Sequence, residues 1–188
     1  MSPSVQDKLI GVGVIGTGFM GKAHSIAYSA SASVFGTGLR PCLEIVCDLS
    51  PERASQRATD LGFSRYSDNW RDVVEDAQVQ LVSVCTPNDT HAEIAIAALA
   101  AGKHVWCEKP MSTTLADSTA MANAAAGSTG KTIIGYNYTK NPAVTHARRL
   151  IDDGVIGRVS GFFCRYDVDN EADGNRPWSW RMSRAQSG

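Results

Sequence analysis

Short, largely apolar runs recur along the chain at Leu9–Ile15, Leu43–Cys47, Leu81–Cys85 and His104–Cys107. They lack the polar alternation of a half-exposed strand, and so predict strands buried on both faces. Between them lie segments with helical signals. After Gly21 the chain can be helical to about Ser31, and the small and polar residues through Gly36-Thr37-Gly38 predict a long loop before Leu43. Ser50-Pro51-Glu52 is a strong helix start: serine caps free amides, proline fits the first helical position and glutamate favours the positive end. Gly62 closes that helix, giving 51–61. Asn69–Ala77 predicts a shorter helix, and His91–Ala101 another that Gly102 stops. Thr114–Ala126 predicts a further helix, Thr132–Tyr136 a strand, Pro142–Asp153 a helix ended by Gly154, and Val159–Tyr166 a new strand. Beyond Asp167 periodicity is lost. Strands alternating with helices imply right-handed crossovers and a mostly parallel sheet covered on both faces, a doubly wound α/β fold.

Composition narrows the class without changing that picture. The 188 residues are 43% hydrophobic and 20% charged with net charge -1, values of an ordinary water-soluble domain. No stretch concentrates Lys and Arg, so a nucleic-acid partner is not expected. Met1–Lys8 is polar, and no apolar run reaches the roughly 18 residues of a membrane span. Cytoplasmic residence without membrane association is the resulting expectation. Cys42, Cys47, Cys85, Cys107 and Cys164 are odd in number and contain no C-x-x-C; they read as reduced core thiols rather than disulfides, metal ligands or nucleophiles. No metal site is expected.

The chemistry begins at Gly16-Thr17-Gly18-Phe19-Met20-Gly21, a G-x-G-x-x-G that follows a predicted strand and opens a predicted helix. Gly16 permits the tight turn, Gly18 lets the backbone approach a pyrophosphate, and Gly21 allows the helix to pack closely on the sheet. Amides at the helix start bind the phosphate charge. Asp48 ends the second strand, where a carboxylate accepts from ribose hydroxyls and repels a 2′-phosphate, favouring NAD over NADP. Arg53 keeps NADP open, and a solvated acid at a strand end competes as an account of Asp48. The separation of Asp48 from the glycines exceeds the usual spacing, an excess assigned here to an insertion at Ser29–Cys42.

Two further motifs, Thr86-Pro87-Asn88 and Glu108-Lys109-Pro110, follow predicted strands and so lie at carboxyl ends, where open α/β sheets bind ligands. With the glycine motif, Gly135-Tyr136-Asn137 and His91 at a helix start, they make the chain resemble the Gfo/Idh/MocA family of oxidoreductases along essentially its whole length. The resemblance implies a Rossmann domain over 1–137, then the start of an α+β substrate domain over 138–188. It implies that Gly16, Phe19 and Met20 line the pyrophosphate and Asp48 the ribose. Thr86, Pro87 and Asn88 would line the nucleotide's inner side, and Glu108, Lys109 and Asn137 the nicotinamide end. Trp180-Arg181 is similar to a family Trp-Arg that approaches cofactor or substrate. The substrate class implied is a sugar or polyol, and a homo-oligomer is implied for the full-length protein.

Oxidising a hydroxyl needs a group that stabilises the developing alkoxide and one that takes the proton; Lys109 is the candidate for the first role and can relay the proton. The Lys109-Pro110 bond is a candidate for the cis form. His91 reads as a cap or packing residue, and His24, His104 and His146 show no partner spacing. No Asp-x-x-x-His, which supplies the family's acid-base histidine, occurs in the sequence. A fragment of a longer enzyme is therefore expected, with a non-catalytic nucleotide-binding or interaction module as the alternative. S-adenosylmethionine-dependent transfer also uses a glycine-rich first turn, but leaves Glu108-Lys109-Pro110 without a role.

Overall fold

A computed structural model describes residues 8–36, 38–168, 173–175 and 177–188. Six parallel strands form one sheet in the order β3-β2-β1-β4-β5-β6. The strands are β1 (Lys8–Ile15), β2 (Leu39–Cys47), β3 (Arg65–Ser67), β4 (Leu81–Val84), β5 (His104–Cys107) and β6 (Thr132–Ile134). The helices between them are α1 (Phe19–Phe35), α2 (Pro51–Leu61), α3 (Trp70–Glu75), α4 (His91–Ala100) and α5 (Leu115–Gly127). The order reverses between β1 and β4, so a crevice opens at their carboxyl ends, the position that binds ligands in such sheets. This is the doubly wound fold expected from the alternation of elements.

The two sheet faces have separate cores because side chains alternate along each strand. On one face Val82 and Val84 of β4 and Val105 and Cys107 of β5 pack with Val73 and Val74 of α3 and Ile94, Ala98 and Leu99 of α4. On the other, Val12, Val14 and Val46 pack with Ala58 and Phe63 near α2. Each fully buried valine or isoleucine contributes roughly 1.5–3 kcal/mol. Local signals set the helix ends as read from sequence: the Ser50 hydroxyl accepts from the Arg53 amide at 3.2 Å, and Gly62 takes a left-handed conformation after α2. Asn69 caps α3 and Thr114 caps α5 in the same way.

Four expectations need correction. The helix opened by the glycine motif continues past Ser31 to Phe35, and β2 starts at Leu39, not Leu43. The supposed insertion is therefore extra helix and strand rather than a long loop; Lys8 and Leu39 pair directly, so the added strand residues are held by β1. The short strand β3 was not foreseen, and its three residues find a ladder partner in Ile45–Cys47. Val159–Tyr166 is exposed and forms no strand, since an extended segment becomes a strand only when a neighbour supplies ladder bonds. Cys164 lies in this segment and is exposed, and Cys42 and Cys85 are half-buried, so of the five cysteines Cys47 and Cys107 are fully in the core. Between β6 and that segment lies the helix α6 (Pro142–Asp152), capped by Asn141 as its Asn-Pro start suggests. Among the described residues no helix is long and apolar enough to cross a membrane.

A candidate dinucleotide site at the carboxyl edge

β1 ends at Ile15 and the chain turns through Gly16 with φ 94°, a left-handed conformation open to glycine. A Cβ on Gly16 would lie 2.6 Å from the Cys85 carbonyl oxygen, and one on Gly21 would lie 1.9 Å from the Gly16 carbonyl oxygen. The turn thus closes tightly on β4 and on its own helix. Gly18, by contrast, has open space beyond it. α1 starts at Phe19 with no side-chain cap and no acidic residue in its first turn, leaving its leading amides for an anion. Phe19 is 79% exposed and Met20 half-buried. Open backbone above an uncapped helix start fits the diphosphate of a dinucleotide.

Asp48 stands beside this turn because β2 neighbours β1. Thr17 donates both its hydroxyl and, at 3.3 Å, its amide to Asp48 Oδ2. Oδ1 accepts from the Ser50 amide at 3.4 Å and lies 3.5 Å from Nη1 of the exposed Arg53. The carboxylate is held in orientation at the crevice rim, 11% exposed, where ribose hydroxyls can donate to it.

The turn after β4 lies next. Thr86 accepts from the Thr90 hydroxyl at 2.7 Å, the Pro87 carbonyl accepts from the same hydroxyl at 2.9 Å, and Asn88 is buried. The Asn88 amide donates at 2.9 Å to the Ser187 carbonyl, which docks the short helix α7 (Arg184–Ser187) on this turn. Just before α7, Arg181 sets its guanidinium over the Trp180 ring at 4.6 Å. The sheet ladder continues beyond β5 and β6: Glu108 donates its amide to Val84 and Gly135 donates to Cys107. Lys109 is exposed at this edge, and the Lys109-Pro110 bond is cis. Asn137 is exposed too, its amide donating to the Gly135 carbonyl at 2.9 Å.

Glu108 behaves unlike its neighbours. It is buried, with its carboxylate 3.0 Å from Nε2 of His24. His24 therefore has a partner after all, 84 residues away, and no local spacing could have signalled it. His91 is fully buried between two backbone carbonyls, in keeping with a packing role. Burial pushes the Cys47 and Cys107 thiols up to about 12, assisted by the negative charge of Asp48 and Glu108 respectively, and pushes Cys85 up as well. None of the three is poised as a nucleophile. Among the described residues, no group of three or more His, Cys, Asp and Glu side chains is placed to hold a metal.

A model of an oxidoreductase family with an NAD-binding Rossmann fold matches residues 10–136. Levoglucosan dehydrogenase of Pseudarthrobacter phenanthrenivorans is 41% identical over 180 residues, 95% of this chain and 46% of the relative. An inositol 2-dehydrogenase of Gluconacetobacter diazotrophicus is 33% identical over 151 residues, 80% of this chain and 43% of the relative. Among solved structures, levoglucosan dehydrogenase in complex with NADH superposes with a TM-score of 0.88 at 37% identity, covering 96% of this chain and 49% of that one. An oxidoreductase domain protein from Kribbella flavida gives a TM-score of 0.87 at 43% identity, with the same coverage. The chain spans about half the length of the relatives it matches.

Proposed function

The chain belongs to the Gfo/Idh/MocA family of oxidoreductases, and from that premise we propose that it binds NAD and serves the oxidation of a sugar or polyol hydroxyl. The observation that carries this reading is the open, uncapped glycine turn with the Asp48 carboxylate held beside it by Thr17. A chain with this turn can bind the diphosphate through the backbone from Gly16 to Met20, and the adenosine ribose through Asp48. The bound dinucleotide supplies the hydride acceptor. Thr86, Pro87 and Asn88 line the inner side of the crevice, while Lys109, Asn137 and the Trp180-Arg181 segment serve the nicotinamide and substrate end. Residues 1–137 form the nucleotide-binding unit in this reading, and 138–188 open a substrate domain.

Lys109 is the residue assigned to the chemistry. As an ammonium it stabilises negative charge that develops on the substrate oxygen as the carbon loses hydride, and as the neutral amine it can accept the hydroxyl proton. Glu108 contributes from beneath the turn, because its carboxylate is buried against His24. Sugar and polyol substrates are supported by the named relatives, levoglucosan dehydrogenase and inositol 2-dehydrogenase.

Isothermal titration of the chain with NADH and NADPH tests the binding half. NADH is expected to bind more tightly, and a chain that takes up neither nucleotide would end this reading. Oxidation of levoglucosan and inositol, followed as NADH formed by a chain extended to the length of its relatives, tests the chemistry: Lys109→Met is expected to lower kcat by about a hundredfold or more.

A further inference from the structure

Two buried histidines outside the glycine motif close on the turn that carries Lys109. The ring of His91, at the start of α4, places Nδ1 2.9 Å from the Pro110 carbonyl oxygen and Nε2 3.0 Å from the Thr86 carbonyl oxygen. Those carbonyls belong to the turns leaving β5 and β4, so one side chain spans both. Thr86 in turn abuts the glycine motif, its amide nitrogen 3.0 Å from where a Gly16 Cβ would stand. A continuous set of contacts runs from the glycine turn to Pro110.

His24, in α1, holds the same turn from the opposite face of the sheet. Its Nε2 meets Glu108 at 3.0 Å and its Nδ1 lies 3.2 Å from the Ser83 hydroxyl, which also meets the Tyr28 hydroxyl at 2.7 Å. The Trp106 ring packs on the imidazole with centroids 4.7 Å apart. Every rotation of His24 or Glu108 out of this arrangement would strand a buried polar group without a partner. The residues on either side of Lys109 are thus both anchored, Glu108 through its side chain and Pro110 through its carbonyl.

We propose that His24 and His91 are positioning residues for Lys109, fixing the backbone from which its amine reaches the nicotinamide end of the crevice. The inference rests on the dehydrogenase reading above. His24 is 6% and His91 0% exposed, so both act through the turn rather than on a ligand. Lysine has a long stem with large rotamer freedom. Fixing its base is the means by which buried neighbours narrow where the amine goes.

The test compares affinity for NADH with affinity for ADP-ribose, which shares the adenosine and diphosphate but lacks the nicotinamide. In the 188-residue chain, His91→Ala and His24→Ala are expected to weaken NADH by about tenfold while ADP-ribose changes by less than about twofold. His91→Gln and His24→Gln, whose side-chain amides still donate, should recover part of the loss. Ser83→Ala withdraws support from His24 with little change of volume, and serves if the alanine variants do not fold; it is expected to shift the NADH to ADP-ribose ratio by about threefold.

In a Lys109→Met background the same histidine changes should add nothing, because two residues acting through one amine are not additive. Equal losses for NADH and ADP-ribose, an unchanged ratio in the folded variants, or full additivity with Lys109→Met would each overturn the positioning role. A wild-type chain that binds neither nucleotide overturns instead the reading on which the inference rests.

Discussion

Gly135 lies flush against the Glu108 carboxylate: a Cβ at residue 135 would stand 2.3 Å from Oε1 and 2.8 Å from Cδ. The chain leaving β6 can approach the end of β5 at this point, its Gly135 amide donating to the Cys107 carbonyl at 2.8 Å, because residue 135 has no side chain. Gly135→Ala must push the carboxylate off His24 or displace the end of β6. The expected cost is about 1–3 kcal/mol, as for overpacking elsewhere, read as a lower denaturant midpoint with an unchanged slope. A midpoint equal to wild type would show that the pair has slack.

Cofactor choice should depend on Thr17 as well as Asp48. Thr17 is 3% exposed and donates to the carboxylate from within the glycine turn. Thr17→Val keeps the shape and removes the hydroxyl donor, leaving the carboxylate less well oriented. NADH affinity is expected to fall by about three- to tenfold. Asp48→Ser removes the charge that repels a 2′-phosphate and leaves Arg53 nearby, so preference for NADH over NADPH should fall by about tenfold or more. Titration calorimetry with both nucleotides measures each ratio; an unmoved preference in Asp48→Ser would remove Asp48 from the ribose site.

Closing Gly21 should abolish the site. With a Cβ only 1.9 Å from the Gly16 carbonyl oxygen, Gly21→Ala forces α1 away from the turn, and a shift of that kind costs about 1–3 kcal/mol. Nucleotide binding is expected to be lost even where circular dichroism still reports a folded chain. Retained NADH affinity would mean that the turn does not bind the diphosphate.

Acid should destabilise the chain in part through Asp76. Burial alone would raise its pKa, but hydrogen bonds from Arg65 and the Gln78 amide, with the charges of Arg65 and Lys103, hold it below the usual carboxylate range. A depressed native value contributes stability that is fully present above the unfolded pKa of about 3.9 and is lost as pH falls through the native value. Asp76→Asn is expected to lower the denaturant midpoint near neutral pH, and its gap to wild type should narrow as the pH falls below the unfolded value of about 3.9. A gap that stays constant with pH would assign the effect to packing.

Much of this molecule is written locally. The largely apolar runs from Leu81 and from His104 form strands, with Ser83 the one polar residue inside them; α2 runs from Pro51 to Leu61 because Ser50 caps it and Gly62 ends it. The glycine motif and Glu108-Lys109-Pro110 were legible in the same way, since a turn's requirement for glycine or proline is met by residues adjacent in the chain. The length of α1 was not legible: Ser31 to Phe35 carries weak helical periodicity, and the loop shrank once β2 paired with β1 from Leu39 onward.

Tertiary structure decided the rest. The pairing of His24 with Glu108 and the bridge from Thr86 through His91 to Pro110 join residues that only the strand order β1-β4-β5 brings together. Glu108, expected at the nicotinamide end, turned its carboxylate inward because a buried imidazole was there to take it. Val159–Tyr166, apolar enough for a strand, pairs with no strand among the described residues. Periodicity, caps and turns are settled by residues a few positions apart, whereas a buried polar pair exists only where packing closes two distant side chains into one dry space.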